Sequence, residues 1–392
     1  MPQHESKTSF RVAISVDLTW SLRRHTDIFA GIARYAESRS DWRYVVDDFA
    51  AHTMRQAKGR PRPYDGMIGA VTPELASEAT RRRLPLVNVW ANSSEKRTPS
   101  VLPDYSRVGA LVAEHFLGRG LRRMMCLIRR RDVPDRLVAE SVKRHFEAAG
   151  GACELVRVAR EFAHTVPRWN ETRTLIENWI LRTQKPAGIF AGVDLLGRHV
   201  AELCSRHDVF VPEDVAIIAG HNEPTLCLYP SPALTSVEYG YDRVGFEAAI
   251  LLDRLLRNGQ TRASSILVPP TELVVRGSSD FVYAEEEVIT AALIFVGRAA
   301  TRRIDVSDVA EAASVSRRTL EKRFEKHLGR SVAAEIRRVR LEHAKRLLRV
   351  QETPIGEIAR VVGFGSSQSF ARVFRREVGV SPREYRAQFS ES

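Results

Sequence analysis

Cysteine is scarce in this 392-residue chain: only Cys126, Cys153, Cys204 and Cys227 occur, and no two form a CxxC pair. That spacing gives neither a disulfide framework nor a zinc-ligand pattern. Long apolar runs are missing too. No stretch approaches the roughly 18 residues that a membrane helix needs, so no membrane association is expected. The opening MPQHESKTSF has no apolar core of a secretory signal, so a cytoplasmic protein is expected. The motifs of nucleotide and hydrolytic enzymes are absent as well. There is no P-loop, no GxGxxG after a strand, no nucleophile elbow and no HExxH. His25, His115, His164, His199 and His221 are scattered without partners at catalytic spacing. No enzyme, cofactor or metal site is therefore expected. Acid is in deficit, with 48 Asp and Glu against 60 Lys and Arg. The net charge of +12 favours a polyanionic partner. Apolar residues make up 44%, ample for buried cores.

What is present is concentrated at the C-terminus. Residues 285–392 carry 21 Lys and Arg against 15 Asp and Glu, half the total excess in little more than a quarter of the length. The same region holds two copies of one pattern. The first runs Val309-Ala310, Leu320, Phe324, Gly329, Ser331; the second runs Ile358-Ala359, Phe370, Phe374, Gly379, Ser381. From Phe to Gly to Ser the spacings agree. Between Ala and the first core residue they differ by one position, as two turns of unequal length would. Each copy reads as a short helix, a turn and a second amphipathic helix. Two such units predict two recognition helices entering successive major grooves of DNA.

Upstream, strand and helix signals alternate. Short apolar runs lie at 11–18, 44–49, 66–71, 86–90, 124–128, 188–191 and 215–219. Helical periodicity separates them at 26–38, 108–117, 137–149, 172–181, 196–207 and 244–257. Such alternation predicts parallel sheets covered by helices, with units enough for two doubly wound lobes. Ligands of such folds sit beyond the carboxyl ends of the strands, between the lobes. A turn-rich stretch, Arg276-Gly277-Ser278-Ser279-Asp280, closes this part. Glu285-Glu286-Glu287 then open a helix running to Arg298, and only helix signals follow.

In the C-terminal part, Ser307 is expected to cap a helix over 308–313. Ser314 and Val315 should turn the chain, and Ser316 should cap a helix over 317–328 that Gly329 ends. A long helix over 331–350 joins the units. Pro354 opens the next helix. Gly363-Phe364-Gly365 turns the chain again, and Ser366 caps a helix that ends at Gly379. Ser381-Pro382 starts a last helix carrying Tyr385. The segment GFGSSQSFARVFRREVGVSPREYR (363–386) resembles the signature of the AraC/XylS family of transcription regulators. The resemblance implies base contacts from Arg318, Glu321 and Lys322 in the first unit and from Ser367, Gln368 and Arg372 in the second. Their chemistry suits the task, since Arg and Lys pair with guanine edges and Gln with adenine. Arg317, Arg323, Arg375 and Arg376 are assigned to phosphates.

The N-terminal part carries a second resemblance. VLPDYSRVGALVAEHFLGRG (101–120) and GIFAGVDLLGRHVAELCSRHDVFVPEDVAIIAG (188–220) resemble the two lobe signatures of LacI-type effector domains, relatives of periplasmic sugar-binding proteins. Ala233–Val237 and Gly245–Ala249 extend the match to roughly residues 11–280. Joined to the reader, this sensor resembles the xylose-operon activators as a group. The resemblance implies a sugar effector, xylose-like, and a homodimer acting on paired DNA sites with RNA polymerase. Thr19, Trp20, Trp90, Arg129, Asp194, His221 and Asn222 are the candidate effector contacts, with Trp169 a further aromatic. Relatives of this type carry Asp before Asn where this chain has His221, and often Arg where it has Val142. Arg129 or Arg136 is the available substitute. A sensor that takes a sugar acid or a non-sugar ligand, or that has lost sugar binding, stays open at this point.

The expected plan is a tail over 1–10, a two-lobed α/β sensor of periplasmic-binding type over 11–280 and a linker over 281–287. An all-α double helix-turn-helix domain over 288–387 and a tail over 388–392 complete it.

Overall fold

The computed structural model describes residues 9–18, 23–57, 62–229, 232–259, 265–281, 287–300, 302, 304–350 and 353–387. The expected contacts Thr19 and Trp20 lie outside the described residues, as do most of the two tails and of the linker. The chain forms two compact units. Unit 1 comprises residues 1–110, 131–141 and 237–273; unit 2 comprises 111–130, 142–236 and 274–392.

In chain order the first elements are β1 (Phe10–Ser15), α1 (Arg23–Glu37), β2 (Trp42–Val46), α2 (Ala50–Gln56), β3 (Gly66–Gly69), α3 (Pro73–Arg82), β4 (Leu86–Asn88) and β5 (Ser100–Pro103). Next come α4 (Tyr105–Gly118), β6 (Arg123–Arg129), α5 (Val133–Ala148), β7 (Ala152–Val158), α6 (Val166–Arg182), β8 (Ala187–Ala191), α7 (Asp194–Arg206), β9 (Val215–Gly220), α8 (Pro224–Leu228) and β10 (Thr235–Glu238). Then follow α9 (Tyr241–Asn258), β11 (Ser265–Val268) and β12 (Glu272–Val274). The helices of the C-terminal part are α10 (Glu287–Ala299), α11 (Val306–Ala312), α12 (Arg317–Leu328), α13 (Val332–Val350), α14 (Ile355–Val361), α15 (Ser367–Val378) and α16 (Pro382–Ala387).

Unit 1 is built on a sheet of strand order β11-β5-β4-β3-β1-β2. β1 pairs in parallel with both β2 and β3, so Ala13 stands opposite Val45 and Met67. Helices α1 and α9 cross at glycines. A Cβ on Gly31 would lie 1.9 Å from the Asp242 carbonyl oxygen, and one on Gly245 would lie 1.9 Å from that of Ile28. Only residues without a side chain allow backbones this close. Asp253 of α9 is buried and ties the layer together. It accepts from Trp42 Nε1 and Arg39 Nη2, both at 2.8 Å, and from Arg257 Nε.

The sheet of unit 2 repeats the topology, with order β12-β10-β9-β8-β6-β7. β6 pairs in parallel with β7 and β8, and β8 with β9. The runs Ala187–Ala191 and Val215–Gly220 are buried throughout, as central parallel strands must be. The core on one face gathers Leu127, Ile176, Trp179, Ile189, Leu196 and Ile217. In both sheets the order reverses beside the first strand of the unit. That is the switch point at which open α/β sheets bind ligands, between β1 and β3 in unit 1 and between β6 and β8 in unit 2.

The all-α part of unit 2 differs from expectation at one cap. Asp305, not Ser307, caps α11. Its carboxylate accepts from the Ser307 and Asp308 amides, and Asp308 Oδ2 accepts from the Asp305 amide at 2.7 Å. This reciprocal pair satisfies more end groups than a lone serine would. Pro354 stands as N-cap of α14, one position before its helical residues.

Candidate nucleic-acid interface and effector site

Recognition helices α12 and α15 are organised alike. Ser316 and Ser366 cap them, accepting from the amides of Thr319 and Ser369 at 3.2 and 3.1 Å. Gly329 and Gly379 end them at φ +62° and +87°. Leu320 and Phe324 in one helix, and Phe370 and Phe374 in the other, are fully buried. From Ser316 to Arg330 and from Ser366 to Val380, the sequence of buried, half-buried and exposed positions is identical. Arg317 and Ser367 thus correspond, as do Arg318 and Gln368, Glu321 and Ala371, Lys322 and Arg372, and Glu325 and Arg375. The one-residue difference between the copies lies in the turn. Left-handed Ser314 (φ +53°) stands two residues before its cap, and left-handed Gly363 (φ +79°) stands three before.

Of the expected base contacts, Arg318, Lys322, Ser367, Gln368 and Arg372 are exposed on these helices. Glu321 is half-buried, and its Oε2 lies 3.5 Å from the Val332 amide at the start of α13. A carboxylate at a helix N-terminus is favourably placed for α13 itself. Among the expected phosphate contacts, Arg317, Arg375 and Arg376 are exposed, and Arg376 pairs with Glu377. Arg323 is half-buried and engaged within the protein.

The remaining site residues cluster at strand ends of unit 2. Arg129 closes β6, Asp194 follows β8 and opens α7, and His221-Asn222 follow β9. His221 and Asn222 are both left-handed, at φ +87° and +52°. Two successive side-chain-bearing residues in that region store strain, which the surroundings must hold in place. Asp194 does part of this. Its Oδ2 accepts from the Glu223 amide at 2.9 Å, and its Oδ1 from Ser236 Oγ at 2.6 Å. Ser236 Oγ in turn accepts from the Asn222 amide at 3.0 Å. Arg276 Nη2 donates to Asn222 Oδ1 at 2.8 Å. Asp194 is 2% exposed, and burial pushes its carboxyl up to about 6 against the opposing pull of those hydrogen bonds. Arg129 is half-buried and engaged.

Sequence reasoning gave no site role to Ser236, within the matched segment 233–237, or to Arg276, in the turn-rich stretch 276–280; their partners are distant in sequence. Val142 is fully buried, so that position is part of the core. Arg136 bonds Glu140 of its own helix at 2.9 Å. Trp169 packs on His199, ring centroids 4.3 Å apart, against the core of unit 2. In unit 1, Trp90 is half-buried at the end of β4, its amide held by Asn88 Oδ1 at 3.1 Å. Among the described residues no group of His, Cys, Asp and Glu is arranged to hold a metal, and no helix is long and apolar enough to cross a membrane.

Comparison with known proteins follows this division. The family described as a periplasmic binding protein-like domain matches residues 113–279, and a helix-turn-helix domain matches residues 309–388. The xylose operon regulatory protein of Escherichia coli strain K12 is 32% identical over 218 residues, which is 56% of this chain and 56% of that protein. The chain thus spans about half the length of the curated relatives it matches. The transcriptional activator RhaR of Yersinia pestis (strain Angola) is 40% identical over 88 residues, 22% of this chain and 30% of that protein. Among solved structures, the xylose-binding transcription activator xylR superposes with a TM-score of 0.68 at 23% identity, covering 97% of this chain and 99% of the other. The chain therefore carries a periplasmic binding protein-like domain followed by a helix-turn-helix domain, and it is homologous to the xylose operon regulatory protein.

Proposed function

We propose that the chain is a sequence-specific DNA-binding transcription regulator, an activator of a catabolic operon, controlled by a small sugar of the xylose type. The sensor occupies 11–280, the linker 281–287 and the reader 288–387. The observation that carries this reading is the repeated burial pattern of α12 and α15, which leaves equivalent polar positions facing out on two capped helices. Arg318, Lys322, Ser367, Gln368 and Arg372 read base edges; Arg317, Arg375 and Arg376 hold phosphates. Glu321 and Arg323 belong to the same interface, with Glu321 also steadying the start of α13.

In the sensor, the residues that meet the effector are His221, Asn222, Arg129, Trp90, Thr19 and Trp20. Asp194 positions the 221–223 loop through Ser236 and the Glu223 amide. A neutral imidazole offers one donor and one acceptor where a carboxylate only accepts, so His221 favours a different hydroxyl pattern. A protonated His221 would instead favour a sugar acid. The regulator acts in the cytoplasm, as a homodimer on paired half-sites, and recruits RNA polymerase.

A reporter driven by a site selected with the full chain tests this reading. D-xylose, or another sugar or sugar acid from a panel, should change transcription within the roughly 5–150-fold range of allosteric coupling. Equal transcription with every compound, from a chain shown to bind the site, would remove effector control.

A further inference from the structure

Helix α10 ends at Ala299, and the carbonyls of Ala300, Arg302 and Ile304 lie beyond it, that of Arg302 also accepting from the Ile304 amide at 3.0 Å. Arg340, midway along α13, takes them up. Its Nε donates to the Ala300 carbonyl at 2.8 Å, and its Nη2 to those of Arg302 at 3.0 Å and Ile304 at 3.5 Å. These three carbonyls form the entry to the first helix-turn-helix unit, immediately before the Asp305 cap. The second unit meets the same guanidinium. A Cβ on Gly363, in its turn, would lie 2.9 Å from Arg340 Nε, 2.9 Å from the Ala300 oxygen and 3.2 Å from the Arg302 oxygen. Gly363 is left-handed at φ +79°, which also favours glycine there. One side chain of the joining helix thus sits where the entry of one unit and the turn of the other converge.

The geometry points to Arg340 as a positioning residue for DNA reading: it fixes the orientation of the second recognition helix relative to the first. This rests on the reading of α12 and α15 as a pair of DNA-reading helices. Two helices can occupy grooves one helical turn apart only if their mutual angle and spacing match the duplex. A rigid match converts the second contact into an intramolecular one and multiplies affinity, and a loose joint forfeits that gain. Arg suits the task because its planar fork holds two or more acceptors at fixed angles, which a lysine ammonium does not. Arg340 needs no DNA contact for this.

The test uses the full chain and sites obtained by binding-site selection from random DNA. Wild-type affinity is measured on the two-box site and on sites with either box scrambled. The wild-type preference for two boxes should be about a hundredfold or more. In Arg340→Met it should fall by about tenfold or more, with single-box affinities changed less than about threefold, since the reading faces are untouched. Arg340→Lys should lie between the two, and it carries the test if the Met variant does not fold. Insertion of one base pair between the boxes should penalise the variants less than wild type. The slope of log K against log salt should not change, since no phosphate contact is lost. A general loss of stability would lower all affinities together and leave the two-box preference intact. An unchanged preference in the folded variants would overturn the inference. A wild-type chain that selects no two-box site would remove the parent reading and this inference with it.

Discussion

At the scale of single residues, exposure and chemistry divide the interface. Arg318 and Arg372, the arginines proposed to read base edges, are exposed in the first half of their helices. Arg375 lies in the last turn of α15. Arg318→Ala and Arg372→Ala should each cost about 1–3 kcal/mol on the selected site and relax preference at one base position. Arg375→Ala should weaken all sequences alike and reduce the salt slope by about one. Binding-site selection on each variant is the check, and an unchanged motif for Arg318→Ala would contradict its assignment. The histidines show why residue type alone says little. His115 bonds Ser279 Oγ at 2.8 Å, and burial, then the Arg119 charge, pull its pKa down to about 4. It is neutral at pH 7 and serves packing.

At the scale of elements, close backbone approach decides where substitution is costly. A methyl group on Gly245 would meet the Ile28 carbonyl at 1.9 Å, and no flexible side chain can yield there. Gly245→Ala should therefore destabilise the protein by at least about 1–3 kcal/mol, the usual cost of overpacking. Denaturant unfolding measures it, and a variant as stable as wild type would show that α1 and α9 do not need their glycines.

Element by element, legibility followed hydrophobic pattern. The runs at 188–191 and 215–219 became β8 and β9 almost to the residue, because central parallel strands are apolar on both faces. β7 was not legible: it lies at the sheet edge, and ACELVRV mixes exposed and buried positions without strict alternation. β10 was not legible either. Thr235 and Ser236 are fully buried yet polar, their hydroxyls donating to the Arg276 carbonyl and to Asp194, which no window of hydropathy can foresee. The recognition helices were legible to their caps, since Ser at one end and Gly at the other are local signals. Arg340 was not, because its partners are main-chain carbonyls some forty residues away.

At the scale of the whole molecule, the sheet of unit 2 is joined to the reader by a built contact. Arg298 of α10 binds Asp214 with Nη2 at 2.6 and 2.7 Å from its two oxygens, and its guanidinium lies 4.9 Å from the centre of the Phe210 ring. Gly297 presses on Glu213. Strand β9 runs directly from Asp214 to His221, so the loop expected to meet the effector and the joint that carries the reader lie at opposite ends of one buried strand. The central claim, however, is that α12 and α15 read DNA together. Chemical interference footprinting of the full chain on its selected site tests it most directly. The account predicts two blocked major-groove segments per chain, about 10 base pairs apart, with affinity falling steeply with salt. A single blocked segment, or binding without base preference at low salt, would contradict it.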